Sequence, residues 1–371
     1  VNEIEIKTER LARCLGGLYG GVMLNAQYNF AWITAGGSNA IDTSRENGAA
    51  TILVTSKGRR FLIANNIEMK RLLAEQVDPS FFEPVEFNWQ KEKAEPELVR
   101  LLAGDLANGQ VIADIPFTAV PAMESLFAHF RYELTDQEIV RYRDLGSDVA
   151  EAISSTVAAV RQGQTENEIA NTMRFELARR NIRSVVTLVA ADGRIAAYRH
   201  PVPTENRWKK TLLLVTCAKR QGLIASMSRI VSIGEPSNEL KRKTEAAAFV
   251  HAKLQHATRN AVSHETNGAE LHSVAEQAYR QCGFPDEINN HHQGGATGYR
   301  TRDWVAHPAS HDKLFARQAF AWNPSITGTK VEDTVVRNGN EIEVFTKSVD
   351  FPLIETTIDG RTYCSHGILT I

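Results

Sequence analysis

Two domains of different class are predicted for this chain: α/β over residues 1–132, and α+β over residues 133–371. Three observations carry the prediction. A length of 371 residues exceeds one typical domain and allows each half its own core. Helical and strand periodicities alternate up to about residue 132. Beyond it the pattern restarts and groups as two helices, strands, two helices, strands.

In the first domain "IEIKTERLARCLGGL" reads as a helix, and "YNFAWIT", "AATILVT" and "RRFLIAN" read as short strands. "EMKRLLAEQV" and "EPELVRLLAGDL" are amphipathic helices, and "QVIADIP" is a further strand. The restart is a capping-box pattern: Thr135, with Glu138 three residues on, opens a long helix in which Ile139, Tyr142, Leu145, Val149, Ile153, Val157 and Val160 recur at helical spacing. Gly163 ends it. Thr165 and Glu168 form a second box at the next helix. "SVVTLVAA" is a strand, and "TLLLVTCA" and "GLIASMSRIV" form a hairpin. Two helices follow, "NELKRKTEAAAFVHAKLQHATRNAV" and "GAELHSVAEQAYRQCG"; within the first, "KRKTE" reads as a solvated face. The tail from 315 is strand-rich, in "RQAFAWNPSI", "TGTKVEDTVVRNG", "EIEVFT" and "TYCSHGI".

Composition excludes several function classes. With 43% hydrophobic and 23% charged residues the chain is not disordered. A net charge of −2 without a long basic run predicts neither nucleic-acid nor membrane-surface binding. No apolar stretch approaches a membrane span, and "VNEIEIKTER" is polar, so neither a transmembrane helix nor a signal peptide is expected, and the expected compartment is the cytoplasm. Val1 is not an initiator Met, consistent with a processed or trimmed N-terminus. Cys14, Cys217, Cys282 and Cys364 are far apart and read as reduced thiols rather than a zinc ribbon or disulfide framework. "GGLYGG" lacks the spacing and context of a phosphate-binding loop, and "HHQGG" is no H-E-x-x-H zinc site. "ASMSR" lacks the glycine-rich elbow of a serine hydrolase.

Residues 135 to 345 carry landmarks that resemble the creatinase / aminopeptidase P / prolidase family, whose catalytic domain has the pita-bread fold. The first domain is similar to the creatinase-type N-terminal domain through "NFAWITAGG" and "RRFLIANNIEMKRLLAE". The resemblance implies five ligands to a pair of divalent ions, from an Asp-aliphatic-Gly strand, an Asp-x-Thr-Arg hairpin, a Gly-His-Gly loop, a Glu-Pro-Gly turn and a late Glu-Asp-Thr strand. In "LLLVTCA" Thr216 stands at the first Asp, and "ASMSRIV" puts Ser226 at the second. In "HHQGGATG" Gly295 replaces the ligand histidine. "AWNPSI" puts Asn323 at the first Glu, and only "KVEDTVV" keeps its acid, Glu332. A binuclear site needs several anionic oxygens to offset the metal charge, so neither metal nor other cofactor is expected.

Creatinase implies a metal-free alternative. "YRHPVP" places His200 at its catalytic histidine, and imidazole can take and return one proton near neutrality. Glu332 is then expected to meet a cationic or amide end of the substrate, and His291 to contact substrate. Arg302 is expected to grip a carboxylate, while Asn323, Ser226, Thr216 and Tyr299 complete the substrate-binding set. His292 reads as a hydrogen-bonded loop residue, since adjacent histidines need not point the same way. The expected function is a metal-independent, creatinase-like hydrolase of a non-peptide C–N bond (guanidino, amidino or amide) in a small polar substrate. The alternatives are an Xaa-Pro aminopeptidase/prolidase-type metallopeptidase and a non-catalytic pita-bread binding protein. The resemblance also implies a homodimer, with Trp32 and Arg45 in a candidate loop reaching the partner's site.

Overall fold

The structure, a computed structural model, describes residues 2–371, which divide into two compact units, residues 2–137 and Glu138–Ile371. In the first, α1 (Glu3–Leu15) starts at a capping box in which Asn2 and Glu5 satisfy each other's backbone N–H. β1 (Gly21–Ala26) follows, wholly buried and therefore without the alternation that marks a strand in sequence. α2 (Gln27–Ile33) occupies the stretch read as the strand "YNFAWIT". The reason is local: the buried Asp114 carboxylate accepts the backbone N–H of Asn25 and Ala26 and the Asn29 side-chain amide, anchoring the turn into the helix. Trp32, expected in an overhanging loop, is instead a fully buried residue of α2. β2 (Asn47–Thr55), β3 (Arg60–Asn65), α3 (Met69–Glu75), β4 (Glu83–Phe87), α4 (Trp89–Ala94), α5 (Leu98–Ala107) and β5 (Val111–Ala113) complete a sheet of order β4-β3-β2-β1-β5. Met23, Leu53, Phe61, Ile63, Ala103 and Val111 form its core. Two single helical turns, α6 (Glu124–Phe127) and α7 (His129–Tyr132), close the unit.

The second unit begins within the first turn of α8 (Asp136–Ala159) and continues with α9 (Glu166–Ala178), capped as expected by Thr165 and Glu168. β6 (Arg183–Ala191), α10 (Gly193–Ala197), β7 (Thr211–Arg220) and β8 (Leu223–Ser232) follow. The β7–β8 hairpin turns at Gln221 and Gly222, both left-handed (φ 49° and 82°), the geometry that lets a two-residue loop follow the strands' twist. Next come α11 (Asn238–Asn260), α12 (Gly268–Gln281), the short 3-10 helix at Pro285–Asn289, and β9 (Gly294–Thr297). The remaining strands are β10 (Arg317–Trp322), β11 (Ser325–Ile326), β12 (Thr329–Lys330), β13 (Asp333–Asn338), β14 (Glu341–Val344), β15 (Leu353–Ile358), β16 (Arg361–His366) and β17 (Ile368–Thr370). Two four-stranded sheets result, β17-β8-β7-β6 and β14-β13-β10-β9. They meet where the Ser228 N–H donates to the Glu332 carbonyl and the Ser226 N–H donates to Thr334 Oγ1. With its helices this is the α+β pita-bread architecture, which follows the α/β first unit in the chain. Among the described residues no helix is long and apolar enough to cross a membrane.

Candidate functional site

A cavity of about 170 Å³ lies at the meeting of these sheets, walled by Val186, Leu188, Val215 and Cys217 and lined by His200, His292, Thr301, Arg302, Asn323, Lys330 and Glu332. His200 sits in the loop between α10 and β7, which Glu166 ties to the end of β6 and to α10. That buried carboxylate accepts the Ala191 N–H (2.9 Å), the Thr204 N–H and hydroxyl (3.0 and 2.9 Å) and the Asn206 amide (3.1 Å), and ion-pairs with Arg194. The neighbouring Arg199 donates to Glu287 (2.6 Å) and Thr327 (2.7 Å), tying the His200 loop to the short helix just before His291. From that side Gln293 fixes the histidine loop, accepting from the Tyr279 hydroxyl (2.6 Å) and donating to the His291 carbonyl.

The result is a cluster of three histidines. His200 Nε2 and His291 Nε2 are 3.1 Å apart, and the His291 and His292 rings stack at 4.4 Å. His292 thus lines the cavity rather than merely stabilising its loop. Burial first, then Lys330, lowers the pKa of His200 and brings that of His291 to about 2; burial and then Arg302 bring His292 to about 4. All three rings are therefore neutral at physiological pH.

Glu332 is buried on the floor of the cavity and accepts from Ser228 Oγ (2.5 Å), Lys330 Nζ (3.2 Å) and Arg302 Nη2 (3.2 Å). Burial pushes its carboxyl up, but Lys330, Arg302 and the Ser228 hydroxyl outweigh that and bring the pKa down to about 2. This corrects two expectations. The cationic partner of Glu332 is supplied by the protein rather than a substrate, and the Arg302 fork is turned inward, onto Glu332 and the Thr301 carbonyl. Lys330 was not among the expected residues, although its place two residues before Glu332 in "TKVEDT" puts both on one face of an extended chain. Cys217, read only as a reduced thiol, lines the wall; burial and then Glu332 push its pKa up. Asn323 reaches the cavity as expected, with a buried side-chain oxygen that has no hydrogen-bond partner.

Four expected residues do not line the cavity, and one of them, His291, lies against the His200 ring instead. Thr216 points to the opposite face of β7, because alternate strand residues face opposite ways; Val215 and Cys217 take the cavity side, and Thr216 contacts Ser184 Oγ at 3.2 Å. Ser226 pairs with Cys217 and donates to its sulfur (3.2 Å), beside it on the neighbouring strand and outside the cavity lining. Tyr299 is buried and donates to Glu138 (2.8 Å).

A binuclear carboxylate-bridged metal centre does not fit these residues. Val215, Thr216, Ser226 and Asn323 contribute no anionic oxygen. At Gly295 an added Cβ would lie 2.1 Å from the Trp304 carbonyl oxygen and 2.9 Å from Val305 Cα, so the backbone leaves no room for a ligand side chain. The remaining acid already holds two protein cations.

The sequence matches the model of metallopeptidase family M24 over residues 141–344. It is 22% identical over 234 residues to an Xaa-Pro dipeptidase of Lactobacillus delbrueckii subsp. lactis, a match spanning 60% of this chain and 62% of that relative's length. It is 24% identical over 271 residues to an Xaa-Pro dipeptidase of Lactobacillus helveticus, covering 70% of each. Among solved structures, an Xaa-Pro dipeptidase from Bacillus anthracis superposes over the whole of both chains with a TM-score of 0.76 at 18% identity, a likeness of fold.

Proposed function

The chain belongs to metallopeptidase family M24, and from that premise we propose that it is a member that hydrolyses a non-peptide C–N bond in a small polar substrate without the family's metal pair. The observation carrying this reading is that Lys330 and Arg302 hold Glu332 where metal charge would otherwise balance it. His200, neutral and on the cavity rim, takes a proton from water as the oxygen attacks the substrate carbon. It returns that proton to the leaving nitrogen as the C–N bond breaks, restoring the neutral ring. His291, 3.1 Å away, orients the His200 ring through a hydrogen bond between their nitrogens. Two cations against one carboxylate leave the cavity with an excess positive charge, which favours an anionic group on the substrate. Asn323 needs an N–H or O–H to occupy its unpartnered oxygen, as an amide, amidine or guanidine would. A cavity of about 170 Å³ is below the usual range for drug-sized ligands and suits a small molecule.

A second reading, an Xaa-Pro metallopeptidase, is favoured by the names of the relatives and disfavoured by the donor set. One experiment separates them. Protein stripped of metal with a chelator is assayed against a panel of guanidino, amidino and amide compounds and Xaa-Pro dipeptides. Turnover of a non-peptide substrate in chelator, lost in His200→Ala, supports the proposal. Dipeptide cleavage that returns only with two equivalents of a divalent ion overturns it. The reading includes a homodimeric, cytoplasmic protein; light scattering giving the mass of one chain would remove the dimer from it.

A further inference from the structure

We infer that His200, His291 and His292 form a site for one divalent transition ion of the zinc type, separate from the family's metal pair. Each of the three offers a ring nitrogen, and these lie within 4.8 Å of one another. Nitrogens bound at about 2.0–2.1 Å to a tetrahedral ion stand roughly 3.4 Å apart. The observed 3.1 Å between His200 Nε2 and His291 Nε2 is close to that separation, and the third nitrogen, within 4.8 Å of both, closes in by rotation of its side chain when the ion binds. Side chains adjacent in sequence often diverge. Here the stacking of His291 on His292, at 25° between planes, brings both to the same side, facing His200.

The donor set selects the metal. Three neutral imidazoles with no carboxylate suit Zn²⁺, Cu²⁺ and Ni²⁺ and are poor for Mg²⁺, Ca²⁺ and Mn²⁺, which prefer oxygen. The scaffold is built before the ion arrives, because the Arg199–Glu287 ion pair and the Gln293–His291 hydrogen bond fix the two loops against each other. With three protein ligands the fourth position faces the cavity. Lys330 and Arg302, which raise the local positive potential, lower affinity for a bare cation and favour an anion, hydroxide or carboxylate, as the fourth ligand.

The inference does not rest on the proposed hydrolysis, but it makes a statement about it. An ion here uses the His200 lone pair, so metal at this site silences the metal-free reaction instead of supporting it.

The test uses the full chain after chelation, titrated calorimetrically with Zn²⁺ and spectroscopically with Co²⁺, whose visible bands report tetrahedral coordination. The expected result is one ion per chain. His200→Ala and His292→Asn should each weaken binding by about tenfold or more. His307→Ala serves as a control for adventitious binding and should leave it unchanged. Circular dichroism checks that each variant remains folded; if His200→Ala does not, His292→Asn decides alone. No zinc bound, or zinc binding indifferent to both histidine changes, overturns the inference. Two ions per chain with a preference for Mn²⁺ also overturns it, and would support the metallopeptidase reading instead. The hydrolysis reading is judged separately, by turnover in chelator.

Discussion

Glu332→Gln is the perturbation that most directly tests whether protein cations have replaced metal charge. At 3.2 Å from both Lys330 and Arg302, each Coulomb attraction is roughly 5 kcal/mol at an effective dielectric constant of about 20, before desolvation is subtracted. Removing one partner of a buried ionic cluster leaves the others uncompensated, and typically costs about 3–5 kcal/mol. Glutamine keeps the shape, so the loss is electrostatic. Replacing Lys330 by Met in the same chain removes the most buried stranded charge, and the double variant should recover about half of the loss through their coupling. The assay is urea unfolding followed by tryptophan fluorescence at pH 7, with the slope compared to wild type to verify that the same unit unfolds. The pH dependence gives a second reading. The folded pKa of Glu332 is about 2 against an ordinary 4.5, so its contribution is complete above 4.5 and disappears as the pH falls towards 2. The gap between wild type and Glu332→Gln should close over that same interval. A single variant within about 1 kcal/mol of wild type at pH 7 would refute the reasoning.

Three further outcomes follow from the same geometry. Gly295→Ala should destabilise the fold by about 1–3 kcal/mol or more, because its Cβ meets the backbone of Trp304 and Val305; thermal unfolding measures it. If His200 is the base, kcat/KM should stay flat from pH 8 to below 6.5 and fall only on the acid side of the ordinary histidine range, as a pH–rate profile would show. Asn323→Leu removes a buried unpartnered oxygen and should stabilise the fold by about 1 kcal/mol while raising KM by about tenfold or more; unfolding and steady-state kinetics together check the pair of effects.

The sequence carried more of the fold than of the site. The capped helix at Thr165 and the β7–β8 hairpin are written in local residues, and both form as read. "YNFAWIT" looked like a strand because its aromatics satisfy strand propensity, whereas the group anchoring the helix, Asp114, lies some ninety residues downstream. At the site, His200, Asn323, Arg302 and Glu332 were identifiable by position and do line one cavity, whereas His292, read as a loop residue, lines it as well. Thr216 was not resolved from Val215, because a one-residue slip along a strand moves a side chain to the other face. The pairing of Arg302 with Glu332 was hidden for another reason: which charge meets which is decided by tertiary approach across thirty residues, with no local pattern to announce it. Arg199 and Glu287, which set the spacing of the histidines, are invisible in the same way.

The close approach of Gly295 to the Trp304 carbonyl also bears on how this molecule could change. Restoring a histidine there requires the chain at 304–305 to move first, and that segment is held by the Asp303 N–H on the Ala296 carbonyl and the Ala306 N–H on the Gly294 carbonyl. No single substitution at a former ligand position is therefore a step back towards a two-metal centre; each alone adds a clash or an unpaired charge. The backbone acts as a ratchet: from here, accessible variation runs among pockets without the carboxylate-bridged metal pair, and new specificity should come from wall side chains such as Val186, Leu188 and Cys217.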